Sequence, residues 1–240
     1  MKRLQELLPL PQQVYAMNPP ATKTTASPSK FCSVQQALTP FVQFVQQQLP
    51  SFEVETSNQQ VMTSLLAYFA EDQTECQKRG IHLEKGLFLT GPVGCGKTTL
   101  MNLLAAFFPK KSFRTVTARR ISQQFVQEGY AALARYGARS YRIKHLGYGP
   151  MVQYDQPITY CLDDVGAEPA TKHFGNDCNV MAEILQDRYE QFTPRRMITH
   201  LTTNLNADEL AQHYGHRVRS RLREMGNLIS FPAQAPDRRH

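Results

Sequence analysis

The chain has 240 residues, with 27 Lys+Arg against 20 Asp+Glu and a net charge of +7. That length holds one α/β domain with a proper core plus a small appendage, and is too short for two full enzyme domains. No apolar run approaches the roughly 18–20 residues of a bilayer span, and five cysteines without a CxxC exclude a disulfide framework, which reads as reduced thiols in a cytoplasmic protein with no membrane partner.

In chain order, residues 1–40 carry 6 of the 15 prolines and a Thr/Ser stretch over 22–29. They read as a flexible, extended segment suited to docking on a partner. From Phe41 an apolar pattern begins, and Val61, Leu65, Leu66 and Phe69 recur at helical spacing. The run over 86–90 predicts a strand and 97–107 a helix. A second strand is expected over 113–117, then a helix marked by Ile121, Phe125, Val126 and Leu133. A third strand follows over 158–162, a helix from Val180 to Phe192, a fourth strand over 197–202, a helix over 207–223 and a fifth strand over 228–231. Strands alternating with helices imply a mostly parallel sheet covered on both faces.

The charge is unevenly placed. Residues 110–144 carry 9 basic and 1 acidic side chains, net +8, so this window alone exceeds the surplus of the whole chain. Arg119, Arg120, Arg135, Arg139, Arg142 and Lys144 are interleaved here with aromatic residues. Cations that track phosphates plus rings for base stacking are a composition for binding single-stranded DNA. Phe113 and Phe125 are expected in the core, and Tyr136 and Tyr141 nearer the surface.

The most specific motif is Gly91-Pro92-Val93-Gly94-Cys95-Gly96-Lys97-Thr98, followed by Thr99. It has the form GxxxxGKT, directly after a predicted strand and opening a predicted helix. Its glycines allow backbone N–H groups to surround phosphate oxygens, and the helix N-terminus adds partial positive charge. Lys97 is placed to reach the terminal phosphates of a nucleoside triphosphate, and the Thr98 hydroxyl to ligate Mg²⁺. Asp163 and Asp164 end the third strand, where adjacent carboxylates repel unless a cation is near. Asp163 is suited to hold Mg²⁺ and Asp164 to orient water. Beyond the fourth strand, Asn204 can donate and accept at once, although Asn204 or Asn206 could equally cap the helix at 207. In Tyr214–Arg223, Arg217 and Arg221 share one helix face, and Arg219 and Arg223 another.

Taken together, GPVGCGKTTL, LDDVGAEP, THLTTNL and YGHRVRSRLREM resemble the AAA+ ATPases of the helicase-loader and IstB group, the DnaC-type proteins, over about residues 55–232. The resemblance implies a five-stranded parallel P-loop sheet of order 5-1-4-3-2, in an AAA+ domain over 41–232 with a short tail at 233–240. The C-terminal lid of the family is expected to be absent, with Arg238 and Arg239 poor candidates for its sensor 2. It also implies an ATPase using ATP and Mg²⁺, in which Asn204 is sensor 1 and Arg221 the arginine finger acting in trans on a neighbouring subunit, Arg217 being its nearest competitor. Family members usually carry Glu where Asp164 stands, so hydrolysis is expected to be slow and stimulated by assembly or DNA. The implied function is to load or assist a replicative helicase on single-stranded DNA, with the helicase docked through residues 1–50. The alternatives are an IstB-like ATPase partnering a transposase at target DNA, and an ATP-switched adaptor with negligible hydrolysis.

Overall fold

The computed structural model describes residues 31–50, 52–145, 152–169, 171–173 and 176–238, without the side chains at 56–57, 143–155 and 171–177. At its centre is a five-stranded parallel sheet of β2 (Arg114–Thr117), β5 (Tyr160–Val165), β8 (Thr199–Thr203), β1 (Gly86–Thr90) and β9 (Gly226–Ser230), in that spatial order. Counting only the strands of this sheet along the chain, and reading from the other edge, the order is 5-1-4-3-2.

Period-two alternation decides what each strand contributes to the two faces. Leu87 and Leu89 of β1 join one apolar cluster, while Phe88 between them joins the other. The first cluster is supplied by α1 (Val34–Gln48), α2 (Thr56–Phe69), α3 (Gln73–Lys78) and α4 (Lys97–Phe107). The second comes from α5 (Ala118–Glu128), α6 (Tyr130–Tyr136), α7 (Val180–Arg195), α8 (Ala207–Tyr214) and α9 (His216–Met225). Two small hairpins, β3 (Tyr141–His145) with β4 (Val152–Pro157) and β6 (Thr171–His173) with β7 (Asn176–Cys178), interrupt this alternation and were not expected.

Three boundaries differ from the sequence reading. The first helix begins at Val34, inside the stretch expected to be extended. Ser33 caps it by accepting from Gln36 N–H, and Val34, Ala37, Phe41 and Val45 bury one stripe. Phe41 and Phe44 meet the Phe107 ring at 5.3 Å each, so α1 is fastened to the end of α4 even with Pro40 inside it. The rest of the expected docking segment, residues 1–30, lies outside the described residues. The helix expected over 207–223 is two helices, because Gly215 at φ +87° turns the chain in a region closed to most side chains. The helix marked by Ile121 to Leu133 is likewise broken at Gly129, between α5 and α6.

Two buried polar residues join the sheet to its surroundings. Arg188 of α7 is fully buried. It donates to Thr199 Oγ1 (2.7 Å) and to the carbonyls of Tyr136 (2.9 Å), Ile158 (3.0 Å) and Ile198 (2.9 Å), with its guanidinium over the Tyr160 ring. Burial pulls its pKa down to about 10, so it stays charged at neutral pH. His200 of β8 accepts from the Leu87 N–H through Nδ1 at 2.9 Å, among the rings of Tyr68, Phe69 and Phe113. Burial lowers its pKa to about 3, and the positive charges of Lys111 and Arg188 act in the same direction. Among the described residues no helix is long and apolar enough to cross a membrane.

Candidate functional site

The carboxyl ends of β1, β5 and β8 converge on one cavity of about 300 Å³. Its floor is the loop between β1 and α4. Gly96 stands at the N-cap of α4 with φ +95°, so the helix opens without a side-chain cap and its first N–H groups are left for a ligand. Lys97 is buried. Its ammonium donates to Gly91 O (2.9 Å), Pro92 O (2.8 Å) and Asn204 Oδ1 (2.6 Å), three oxygen acceptors for three protons, with Cys95 Sγ at 3.8 Å.

Asp163 and Asp164 reach this edge through a bulge. Leu162 pairs with Leu201 and Val165 with Thr203, so two residues of β5 stand against Thr202 alone. Asp164 takes φ +52°, a conformation that Asp tolerates better than most residues, and it faces the cavity. Asp163 is buried, and its Oδ1 accepts from both Thr98 Oγ1 and Thr202 Oγ1 at 2.6 Å. Thr202 Oγ1 in turn accepts from Asp164 N–H at 3.0 Å. Thr202 was read in the sequence only as part of a strand tip. Its hydroxyl holds the Asp163 carboxylate and the Asp164 backbone together.

The choice between Asn204 and Asn206 is settled by the cap of α8. Asn206 accepts from Asp208 and Glu209 N–H, and the Glu209 carboxylate accepts from Asn206 N–H, completing a capping box. Asn204 is thereby released to face Lys97.

Of the P-loop residues expected to hold nucleotide, Gly94, Cys95, Gly96, Lys97, Thr98 and Thr99 line the cavity. Gly91 and Pro92 offer their carbonyls to Lys97, and Val93 is exposed at the loop's outer turn. Arg238 was expected to lie away from the nucleotide in a tail. It lines the same cavity, because the chain after β9 returns across the P-loop. Arg238 N–H donates to Gly94 O (3.0 Å), its guanidinium donates to Glu55 Oε2 (2.8 Å), and the Asp237 carboxylate stands against Gly94 Cα. Arg239 lies outside the described residues. The other wall, which the sequence reading also missed, is formed by Leu49 and Phe52 just after α1 and by Asn58 and Met62 of α2.

The two candidate finger arginines are placed differently. Arg221 is largely buried against α7, donating to Gln186 Oε1 (3.2 Å), near Glu190 (3.9 Å) and over the Tyr189 ring. Arg217 is exposed, and its side chain makes no hydrogen bond or ion pair among the described residues. The start of this arm is tied to the Asp164 loop, for Tyr214 donates its phenol proton to Glu168, whose other oxygen accepts from Gly166 N–H at 2.8 Å. Burial raises the Tyr214 pKa, which keeps that proton in place.

The basic window does not form one patch. Arg119 and Arg120 are exposed in the first turn of α5, at the carboxyl edge, where the helix dipole disfavours cations. Arg139 and Arg142 are exposed near Ile158 and Thr159, just before β5 and so at the opposite edge. The 11 residues of α5, about 16 Å of helix, separate the two pairs. Arg135 is exposed, but both ends of its guanidinium are taken by Glu128. The Lys144 side chain lies outside the described residues. Tyr136 is not the surface ring expected, and Tyr141 is half-buried. Tyr136 is buried against Tyr160 and donates to Gln124, while Tyr141 donates to Gln191 beneath Arg195. Tyr130 is the exposed ring of this window.

Among solved structures, the chain is similar to the crystal structure of the DnaC helicase loader, at 16% identity over 76% of this chain and 94% of that one, with a TM-score of 0.49. It is also similar to the crystal structure of DnaI (20% identity, 76% of this chain and 89% of that one, TM-score 0.49). A third is AMPPCP-bound DnaA from Aquifex aeolicus (17% identity, 77% of this chain and 49% of that one, TM-score 0.47). No protein-family profile and no curated protein matches the chain.

Proposed function

We propose that this chain is an AAA+ ATPase that binds ATP with Mg²⁺ and couples its hydrolysis to loading or assisting a replicative helicase on single-stranded DNA. The observation that carries the nucleotide part is the interlock of Lys97, Asn204, Thr98, Asp163 and Thr202 beneath an open helix N-terminus. The acceptors now holding the Lys97 ammonium are ones that a triphosphate would replace. The Thr98 hydroxyl and the Asp163 carboxylate are hard oxygen donors on one side of the cavity. They fit Mg²⁺, which takes one or two carboxylates plus substrate phosphates. When bound, the ion supplies charge neutralisation on the phosphates. Asp164 faces the same space and is the residue to orient the attacking water, while Asn204, which lines the cavity, would offer its amide N–H₂ to the terminal phosphate.

Arg217 and Arg221 are the candidates to stabilise charge on a neighbouring subunit's nucleotide. Exposure favours Arg217, because Arg221 would first have to leave Gln186 and Tyr189. The Tyr214–Glu168–Gly166 chain of contacts is a route by which occupancy at Asp164 reaches this arm. The helicase-docking role belongs to residues 1–50, of which Val34, Ala37, Phe41 and Val45 already face the core and the other side of α1 is open to a partner.

Lys97→Ala is expected to remove ATP binding and turnover, and retained affinity would end the P-loop assignment. Hydrolysis by mixtures of wild type with Arg217→Ala or Arg221→Ala identifies the trans residue as the one whose variant lowers turnover beyond dilution. Pull-down of purified replicative helicase by the full chain but not by a chain lacking residues 1–30 supports loading. Binding a transposase and duplex DNA instead would move the chain to the transposition reading.

A further inference from the structure

A second cavity, of about 200 Å³, opens at the amino edge of the sheet, between the start of β2 and the β3–β4 hairpin. It is smaller than the roughly 300 Å³ at which small-molecule pockets begin. Its lining is polar, with Ser112, Arg114, Arg142, Gln156 and Thr159 among its residues and no carboxylate among the described residues that line it. Alternation sets the direction of both arginines. On β2, Thr115 turns to Asn102 of α4 while Val116 enters the second apolar cluster, so Arg114 points to the side of Val116, where α7 and the hairpin lie. On β3, Tyr141 turns to Gln191 of α7, so Arg142 points away from α7, beside its cross-strand partner Gln156. The backbone between the two arginines is fixed. Arg114 N–H donates to Thr159 O (3.0 Å), Ile158 N–H to Ser140 O (2.8 Å), and Ile158 O accepts from the buried Arg188 (3.0 Å). The Arg114 and Arg142 side chains make no hydrogen bond or ion pair among the described residues. Two cations that share a cavity repel, and an anion between them removes that cost.

We infer that Arg114 and Arg142 form a phosphate site, and that the phosphate it takes belongs to the backbone of single-stranded DNA. This rests on the DNA reading proposed above and adds where the strand lies: at the amino edge, across the sheet from the P-loop cavity. A guanidinium fork matches phosphate oxygens in pairs, and the Ser112 and Thr159 hydroxyls and the Gln156 amide are further donors on the same lining. A base or a nucleoside does not suit a small polar cavity, which separates this site from the larger one beside the P-loop. A lone phosphate held by exposed cations is screened by salt, whereas a strand adds contacts on either side of the one that is gripped. Arg139 and Arg195 are exposed on the same edge, Arg195 with its guanidinium 5.9 Å from the centre of the Tyr141 ring, next to Arg142.

The test measures equilibrium binding of a fluorescent oligothymidylate to the full chain over a range of salt, for wild type, Arg114→Ala, Arg142→Ala and the double variant. Two arginines on one phosphate act as a unit. Each single variant is expected to lower the dependence of log K on log salt by about 0.7, and the double variant by about the same 0.7, one phosphate contact in all. The double loss in affinity should fall short of the product of the single losses by about two-fold or more. Arg114→Lys, which keeps the charge and loses the fork, should recover part of the affinity. Both side chains are exposed, and an unchanged unfolding midpoint shows that the variants fold. Losses that multiply, with slopes that add to about 1.4, overturn the shared site and leave two independent cations, the DNA reading standing. Strand binding unaffected by Arg114→Ala overturns it too. Inorganic phosphate at constant ionic strength should compete no better than chloride. Stronger competition in wild type that the double variant loses marks a site for the free anion and overturns the assignment to a strand. Failure of wild type to bind the strand at any salt removes the DNA reading itself.

Discussion

The carboxyl edge of the sheet and the basic window carry comparable numbers of polar side chains, and they are organised in opposite ways. At the sheet edge each group is held by another. Asp163 is fixed by two hydroxyls, Lys97 by three acceptors, and Asp164 by its backbone bond to Thr202. On the basic window, the side chains of Arg119, Arg120, Arg139 and Arg142 are exposed and make no hydrogen bond or ion pair among the described residues. The first arrangement is preorganised. Its reorganisation cost is met in folding, and removing one donor from such a site typically costs about 10²–10³ in rate. Outside the Arg114 and Arg142 pair, the second arrangement is additive. Each exposed cation contributes a small, salt-screened share, and none is indispensable.

The largest expected test of this separation is Arg188, whose partners all lie at the amino edge of the sheet, beside the basic window and away from the carboxyl edge. Its bonds to Thr199 and Ile198 fix the start of β8, and its bonds to Tyr136 and Ile158 fix the end of α6 and the approach to β5, where Arg139 and Arg142 stand. Arg188→Ala strands several buried carbonyls and leaves a cavity, so we expect a loss of about 3 kcal/mol or more in denaturant unfolding. Arg188→Lys should recover only part of it, since one ammonium cannot reach four acceptors on different sides. Below the melting transition, DNA affinity should fall while ATP turnover per folded molecule is kept. Lost turnover with intact DNA binding would show that the regions are organised the other way round.

A pH-dependent effect isolates the sheet from the basic window. His200 is neutral in the fold because burial depresses its pKa to about 3 from 6.5. Between those values the unfolded chain binds a proton that the folded chain does not. Its stabilising contribution is therefore complete above about pH 6.5 and is lost as pH falls toward 3, at about 1.4 kcal/mol per pH unit. Urea unfolding between pH 7 and pH 4 should show that slope in wild type. His200→Gln, which can still accept from Leu87 N–H, should flatten it by one proton. An unchanged slope would mean that other groups carry the acid sensitivity.

The cavity at the carboxyl edge was legible in the sequence because a P-loop motif is contiguous. Eight neighbouring residues supply both the turn and the chemistry, and the strand and helix flanking it are written in the same stretch. Asp163 and Asn204 were legible because strand ends in a parallel sheet must converge at one edge. What was not legible depends on contacts between distant segments. Thr202 looks like any strand threonine until the bulge in β5 brings Asp163 against it. Arg238 has no periodicity or motif to mark it, and its place at the P-loop follows from one backbone bond to Gly94. Asn58 lies in a polar run, and only burial distinguishes it. On the basic window, composition indicated cations and rings but not which were free. Tyr136 is drawn into the core by Tyr160 and Arg135 is neutralised by Glu128, seven residues before it.

That last pair gives the finest test, because it places an occupied cation among free ones. Arg142→Ala should weaken single-stranded DNA binding modestly and lower the dependence of log K on log salt by about 0.7, one phosphate contact on a single strand. Arg135→Ala should change both far less, because its guanidinium already faces a carboxylate and binding a phosphate would require giving that up. Glu128→Gln then makes the opposite prediction from an ordinary surface change. It removes the competitor, frees Arg135, and should tighten DNA binding a few-fold while steepening the salt dependence by up to about the same 0.7. The double variant Glu128→Gln with Arg135→Ala should return both quantities to near wild type, since the gain passes through Arg135. If Arg135→Ala alone costs as much as Arg142→Ala, the ion pair does not withhold the charge, and exposure alone decides which arginines hold DNA.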